Sequence, residues 1–475
     1  NTAVGAFAGE KITTGVNNTL IGGLAGDALV IGKENVAVGL GALGAGVADS
    51  RTTAIGYAAL GSQVNTGGSV VNAVNVAVGY NAGGAVTVGV ENVLMGSTAG
   101  DALTDADFNV AVGTAALTQE TLGSRNVAIG QEALSNQNFT TATDVYNVAV
   151  GFTAGKLITT GVENTLIGGL VGDALTEGGL NVAVGTESLG RDTKGSRSVA
   201  IGIGALNAQN FTTATNTNNT AVGYHAGNDV TTGTGNTLIG ASAGLGLTGN
   251  ANNTAVGLLA LSASSAGASC TAVGMQALSA ATGNENTALG VNAGNVIVGG
   301  ANNIIIGVNA DPSGSNNSNQ IVIGREVTGT GNNNFTFGGG TSDSNIAFGA
   351  TSISAPSDQR YKEEIADATA GLAFIKDLRP VTFKWKKEKD LPTSHRAYVE
   401  GSETRTMNDN TNHGFIAQEV KTAIDAHSEI KDGFDMWCTD DQADGGRQRI
   451  ADGALVPMLV KAIQELEARI ATLEG

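Results

Sequence analysis

Aromatic side chains supply only 4% of this 475-residue chain, and proline occurs five times, with Pro312 the sole one before residue 356. So few large rings exclude a thick globular core of the ordinary kind. The shortage of proline leaves nearly every backbone N–H free to donate, as a structure of repeated strand pairing requires. Two cysteines, Cys270 and Cys438, lie in regions of different composition and form no disulfide framework. Both are expected as free thiols, with a reducing compartment during synthesis. No apolar run approaches the ~20 residues that cross a bilayer, so no membrane insertion is expected. No signal peptide is present, and the chain starts at Asn1 inside a repeat, without Met. A fragment is expected, whose missing N-terminal part carries an attachment domain or an address. Basic residues are few: 25 Lys and Arg against 43 Asp and Glu give a net charge of −18. That balance excludes a general nucleic-acid binder and suits a soluble, self-repelling particle. His225, His395, His413 and His427 are scattered without metal-ligand spacing, and there is no phosphate-binding loop, dinucleotide fingerprint or calcium loop. Neither metal nor cofactor is expected. The acidic cluster from Asp432 to Asp444, with Trp437 and Cys438, reads as a solvated loop.

What the chain has instead is glycine, 70 residues of it, and 41% apolar residues that are mostly small. A pattern Asn-x-Ala-Val-Gly begins at positions 1, 18, 35, 52, 75, 92, 109, 126, 147, 164, 181, 198, 219, 236, 253, 270, 286 and 303. Most steps are 17 residues, and the fourth, eighth and twelfth are longer, so that Asn75, Asn147 and Asn219 stand 72 apart. Such a period signals a solenoid. Each unit reads as a short strand, a tight turn at Gly and a second short extended piece. This much glycine, with β-branched residues at a period of two, argues against helices. About 20 rungs at ~4.8 Å make a shaft of roughly 95 Å. Asn at one place in successive rungs can form a ladder of amide hydrogen bonds; the alternative is a surface-turn Asn without one.

The segments NVAVG, SVAIG and NTAVG are similar to the repeated strand motif in the heads of trimeric autotransporter adhesins. That resemblance covers residues 1 to about 350 and implies a trimer of left-handed parallel β-rolls, although 17 residues is a longer period than such heads lead one to expect. The long steps carry SNQNFTTATDVY and NAQNFTTATNTN, with a variant SQVNTGGSVVNAV. Extra residues at a fixed place in a solenoid leave the stack as loops on one face. Phe139, Tyr146 and Phe211 are among the few aromatics there, set among Thr and Asn, and are candidate glycan-contacting residues; the plainer reading is that each ring pins its own loop.

The last 120 residues differ in composition, with both tryptophans, four of the five prolines and more than half of the Lys and Arg. Pro380, Val381, Phe383 and Trp385 alternate as a strand does. Residues 453–474 predict a helix with a short coiled-coil seam of Val456, Leu459, Ile463, Leu466, Ile470 and Leu473. Pairing Ile or Val with Leu along a seam leans toward two strands, but two and a half heptads leave the number to the rest of the domain. Four segments, SDQRYKEEI at 357–365, LRPVTFKWK at 378–386, HGFIAQEVK at 413–421 and LVPMLVKAIQELEARI at 455–470, closely resemble the self-cleaving intramolecular chaperone domain of phage tailspikes, tail fibres and endosialidases. The resemblance implies a domain that trimerises, guides folding of the β-rich stalk before it and then cuts itself off. It makes Ser357 the nucleophile and Lys362 its base, with the cut between Pro356 and Ser357; proline there departs from the small residue expected. Asp358, Arg360 and His413 belong to the same motifs. A serine hydroxyl needs an adjacent base, and a lysine serves when burial or a neighbouring cation such as Arg360 lowers its pKa. The competing reading is that Ser357 or Asp358 caps a helix starting near Tyr361, with Lys362 solvated.

The expectation is therefore a mainly β protein: a trimeric stacked parallel β-solenoid shaft at residues 1–350, with shorter repeats over 286–350, then a small α+β chaperone domain at 351–475. With the resemblance, this implies a structural and receptor-binding phage tail fibre or tailspike. It would be folded in the host cytoplasm and carried on the virion, with a host receptor or glycan as partner. Two alternatives are a bacterial surface adhesin with the same chaperone, or part of a polysaccharide-degrading tailspike. The latter needs paired carboxylates in a cleft, and acidic residues are sparse in the strand motifs.

Overall fold

A computed structural model describes residues 1–65, 69–263, 266–340, 342–350, 352–354, 357–393, 395, 397–431, 434–439 and 448–474. The chain divides into two compact units, residues 1–356 and 357–475.

The first unit is a parallel β-solenoid. Three-residue strands such as Val148–Val150, Thr165–Ile167 and Val182–Val184 pair in parallel with strict register, residue for residue, in a sheet of 21 strands. The strand triplet explains the core. Its middle residue, for example Ala149, Leu166 or Ala183, points inward and is fully buried, while the first and third point outward and stay partly exposed. The glycine that follows turns the corner. Gly168 has φ +142°, and a Cβ there would lie 2.8 Å from the carbonyl oxygen of Gly185 in the next rung. Glycine is thus required twice, by the dihedral and by the close approach of rungs.

The second extended piece expected just past the corner glycine is absent among the described residues; two-residue strands occur instead at the end of the rung beside the long steps, at Asp49–Ser50 with Val71–Asn72, Gly123–Ser124 with Thr143–Asp144, and Gly195–Ser196 with Thr215–Asn216. Past the corner glycine the chain turns instead, because residues such as Thr153 (φ 52°) and Gly155 (φ 58°) adopt left-handed conformations that no strand accommodates. The Asn ladder exists and is buried. Asn164 Oδ1 accepts from the backbone N–H and the Nδ2 of Asn181, both at 3.1 Å, while its own Nδ2 donates to Gly178 O at 3.0 Å. One side chain thus satisfies three polar groups that the stack would otherwise bury unpaired. The stack ends where Ser342–Ala347 returns antiparallel to Asn334–Gly339.

The second unit is small and mixed. It contains α1 (Leu372–Asp377), an antiparallel pair Val381–Phe383 with Asn412–Gly414, α2 (Ala417–Ala426), a second pair Trp437–Thr439 with Gln448–Ile450, and α3 (Leu455–Glu474). Phe374, Val420, Ile424, Met436 and Leu455 form its core. The Leu372 N–H at the start of α1 donates to Glu465 Oε2 of α3 at 2.9 Å, satisfying a helix-end donor while tying the two helices. Along α3, Leu455 and Ala462 are buried, whereas Val456, Leu459, Ile463, Leu466, Ile470 and Leu473 are exposed. No described helix is long and apolar enough to cross a membrane.

Candidate functional site

The second unit opens with a single 3₁₀ turn at Gln359–Tyr361. Asp358 caps it, its Oδ1 accepting from the Arg360 N–H at 2.9 Å. The cap reading therefore belongs to Asp358, and the neighbouring serine is free for another partner. The turn brings Lys362 back over Ser357, and Lys362 Nζ donates to Ser357 Oγ at 2.7 Å. Nucleophile and base at hydrogen-bond distance are the minimal arrangement for an activated serine. As an ammonium, Lys362 donates in this contact; once deprotonated, the same nitrogen accepts the hydroxyl proton. Both residues are exposed.

Arg360 pairs with Asp358. Its Nε and Nη2 grip the Asp358 carboxylate at 2.6–3.1 Å, so its charge is compensated within the turn. The same hydrogen bonds hold the Asp358 carboxyl below the usual carboxylate range and raise the Arg360 guanidinium. His413 lies elsewhere, on the strand facing Val381–Phe383 and opposite Thr382; among the described residues it makes no hydrogen bond with Ser357 or Lys362. Pro356 lies outside the described residues, as does part of the acidic segment after Asp432.

A histidine that the sequence did not single out is built into the unit instead. His427, just past α2, hydrogen-bonds Asp377 at the end of α1 (2.8 Å) and Glu429 (3.0 Å), with its ring edge-on to Phe374. Those bonds, Asp377 first, raise its pKa above the ordinary 6.5. A raised folded-state value means that the stabilisation is fully present below about 6.5 and is lost as pH climbs through the folded value. Both tryptophans, Trp385 and Trp437, lie in this unit, so their fluorescence reports it alone. Thermal melts followed by that fluorescence are expected to lose about 1 kcal/mol of stability on raising the pH through this window, and His427→Gln to remove the dependence. A wild-type melt indifferent to pH there would refute the pairing.

In the shaft, the three loop aromatics part company. Phe211 is 7% exposed and pins its own loop, Phe139 is half-buried, and Tyr146 is open at 52%. Tyr146 stands with Phe108 around the guanidinium of Arg125, which pairs with Asp144 at 2.9 Å.

The loops are held by a device that sequence reasoning passed over. Glu120 is fully buried, and its Oε1 accepts from the N–H groups of Thr121, Leu122, Gly123 and Phe139 at 2.7–3.1 Å. Its Oε2 accepts from Gln137 Nε2 at 2.8 Å, and Gln137 Oε1 in turn accepts from Asn147 Nδ2 at 2.8 Å, at the head of the next ladder. Asp192, Gln209 and Asn219 repeat the relay 72 residues later, and Asp49, Gln63 and Asn75 form a first version. The signal was present: each long step holds one such Gln, with an acidic residue 17 positions earlier in two cases.

Among the described residues no group of three or more His, Cys, Asp or Glu is placed to hold a metal ion. No curated protein matches this chain. Residues 357–428, which begin at the Ser–Lys pair and run past α2, match the family described as chaperone of endosialidase; the chain thus carries a chaperone-of-endosialidase domain C-terminal to its β-solenoid.

Proposed function

We propose that this chain is a homotrimeric tail-fibre or tailspike shaft of a phage, assembled by its C-terminal domain, which then severs itself before Ser357. The observation that carries the reading is the 2.7 Å contact of Lys362 with Ser357 at the first residues of the family match. In the proposed reaction, Ser357 Oγ adds to the carbonyl carbon of residue 356 while its proton passes to Lys362 Nζ. The carbon–nitrogen bond breaks, the amine of Ser357 takes the proton, and water hydrolyses the resulting ester. Because the attack lies within one chain and occurs once, an exposed dyad of modest power suffices.

Trimerisation is supported by the outer face of the long sheet. From Thr2 to Ile306 its outward positions hold only Thr, Val, Ile, Leu and Met. A parallel sheet normally has both faces covered. Eighteen rungs of three residues present on the order of 850 Å² at ~4.8 Å by ~3.3 Å per residue, the scale of a stable interface. The exposed apolar residues of α3 offer a second contact. A chaperone behind a parallel stack also has a physical purpose, since such stacks form slowly and expose adhesive edges meanwhile. In this reading the shaft presents its loops, Tyr146 among them, to a host receptor or glycan, is folded in the host cytoplasm and is carried on the virion.

The test is the mass of the denatured full-length chain beside Ser357→Ala, with native mass for the assembly. The wild type is expected as fragments 1–356 and 357–475, the variant intact, and both as trimers before denaturation. An intact wild-type chain would sink self-cleavage, and a monomer would sink the shaft assembly.

A further inference from the structure

One arginine recurs beside each of the three inserted loops. Arg51, Arg125 and Arg197 directly follow the short strands Asp49–Ser50, Gly123–Ser124 and Gly195–Ser196, and all three are exposed. Two of them have a carboxylate partner within the shaft. Arg51 Nε meets Glu34 of the preceding rung at 3.0 Å, and Arg125 Nε meets Asp144 of the adjoining loop at 2.9 Å. The third differs. Strand pairing sets Asn216 against Ser196 just as it sets Asp144 against Ser124, so an amide stands where Arg125 has its carboxylate. Among the described residues Arg197 makes no ion pair. The local charge has changed sign as well. Residues 116–146 hold Arg125 against Glu120, Glu132 and Asp144, whereas the matching residues 188–218 hold Arg191, Lys194 and Arg197 against Asp192. Asp192 is fully buried, its oxygens taken by the N–H groups of Gly195 and Phe211 and by Gln209 Nε2. Lys194 pairs with Glu177 at 2.7 Å. Glu163 stands in the same column as Arg197 but two rungs away, ~10 Å, beyond the ~8 Å over which exposed charges act at physiological salt.

We propose that Arg197, Asn216 and Asn218 form a binding site for a carboxylate-bearing sugar of a surface polysaccharide. The sugar carboxylate takes the place that Glu34 and Asp144 fill at the other two arginines, accepting from the guanidinium fork. The loop beside it is already held in place, because Phe211 is buried and Thr193 Oγ1 donates to Phe211 O at 2.7 Å, so little order is lost on binding. Its exposed side chains Asn210, Thr212, Thr213, Asn216 and Asn218 are amides and hydroxyls, which suit the ring hydroxyls of a saccharide. The sole exposed apolar residue between 208 and 218 is Ala214, too small to seat a peptide side chain. The proposal rests on the receptor-binding reading and names the ligand class at one loop.

The experiment measures binding of the full-length protein to immobilised polygalacturonate and alginate. Neutral glucans and mannans, dextran sulfate and poly-glutamate stand alongside as controls. Wild type is expected to bind at least one of the two carboxylated polysaccharides and to release it as salt rises from ~0.05 to ~0.5 M. Arg197→Gln is expected to weaken binding at least ~10-fold, the scale of one charge-assisted hydrogen bond. Asn216→Asp is expected to do the same with the arginine still present, because it installs the internal partner that the twin loop already accommodates. Binding that survives either change overturns the site. Equal binding to dextran sulfate or poly-glutamate means that charge alone is read, and overturns it too. Binding confined to neutral glycans and indifferent to Arg197→Gln overturns the site while upholding the receptor reading, whereas binding to none of the polysaccharides removes the glycan reading with it.

Discussion

Lys362→Met is expected to slow scission before Ser357 by about 10²–10⁴-fold, the usual contribution of a positioned general base. Methionine keeps the length and apolar stem of lysine but cannot take the hydroxyl proton. Lys362 is exposed, so folding and assembly should be unaffected and only the time course of chain separation should change. Lys362→Arg sharpens the result. Arginine retains the charge and can still donate to Ser357 Oγ, but it does not deprotonate in proteins. If Lys362 works as a base, both variants fail. If it only holds Ser357 by charge, the arginine variant cleaves at the wild-type rate, and the proposed dyad must be abandoned. Following both over time in denaturing gels, with the wild type alongside, separates these outcomes without an external substrate.

The second large effect belongs to the buried carboxylates of the shaft. Glu120→Leu would leave Gln137 Nε2 and the N–H groups of Gly123 and Phe139 buried without an acceptor. At about 1–3 kcal/mol for each of these orphaned donors, the local loss is about 3–9 kcal/mol. Glu120→Gln restores an acceptor for part of the cluster but turns an amide donor toward another donor, and is expected to cost about 1–3 kcal/mol. A stack of repeats opens locally instead of all at once. The suitable measurement is therefore hydrogen exchange at the Phe139 and Gly123 amides, not a single melting temperature. Faster exchange confined to this loop and the adjoining rungs is expected. Protection equal to that of wild type in Glu120→Leu would mean that water or a shifted chain replaces the carboxylate, and the relay would carry no stability. The relay also accounts for the four-rung grouping. Each insertion interrupts the Asn ladder: Thr52 Oγ1 and Asn126 Oδ1 are left unpartnered at the first two, while at the third Ser198 Oγ accepts from Gln209 Nε2, and in each the Gln–carboxylate pair starts a new ladder.

Much of this protein was legible in one dimension because its structure is nearly periodic. A 17-residue step with Asn and Gly at fixed places permits little except in-register parallel stacking, where each Asn meets the next and each corner glycine lies against another. The Ser–Lys contact was legible only through the family resemblance, since the five-residue spacing by itself suits a capped turn with a solvated lysine equally well. The helix at 455–474 and the strand at 381–383 came from ordinary periodicity.

What the tertiary structure decided are the contacts between groups that are distant in the sequence, or that compete for the same partner. Glu120 and Gln137 lie 17 residues apart and meet only because a rung closes between them. His427 finds Asp377 across 50 residues, which no local pattern records. Arg360 had two candidate partners, the lysine it would have influenced and the aspartate it grips, and attraction between opposite charges chose Asp358. Phe139, Phe211 and Tyr146 were equivalent as letters, but their exposure depends on how the inserted loop folds over the rung below. Repetition along the chain thus sets the stack and its pitch, because neighbouring rungs see the same residues at the same height. Which side chains are buried, paired or left facing outward follows only once the rungs have closed.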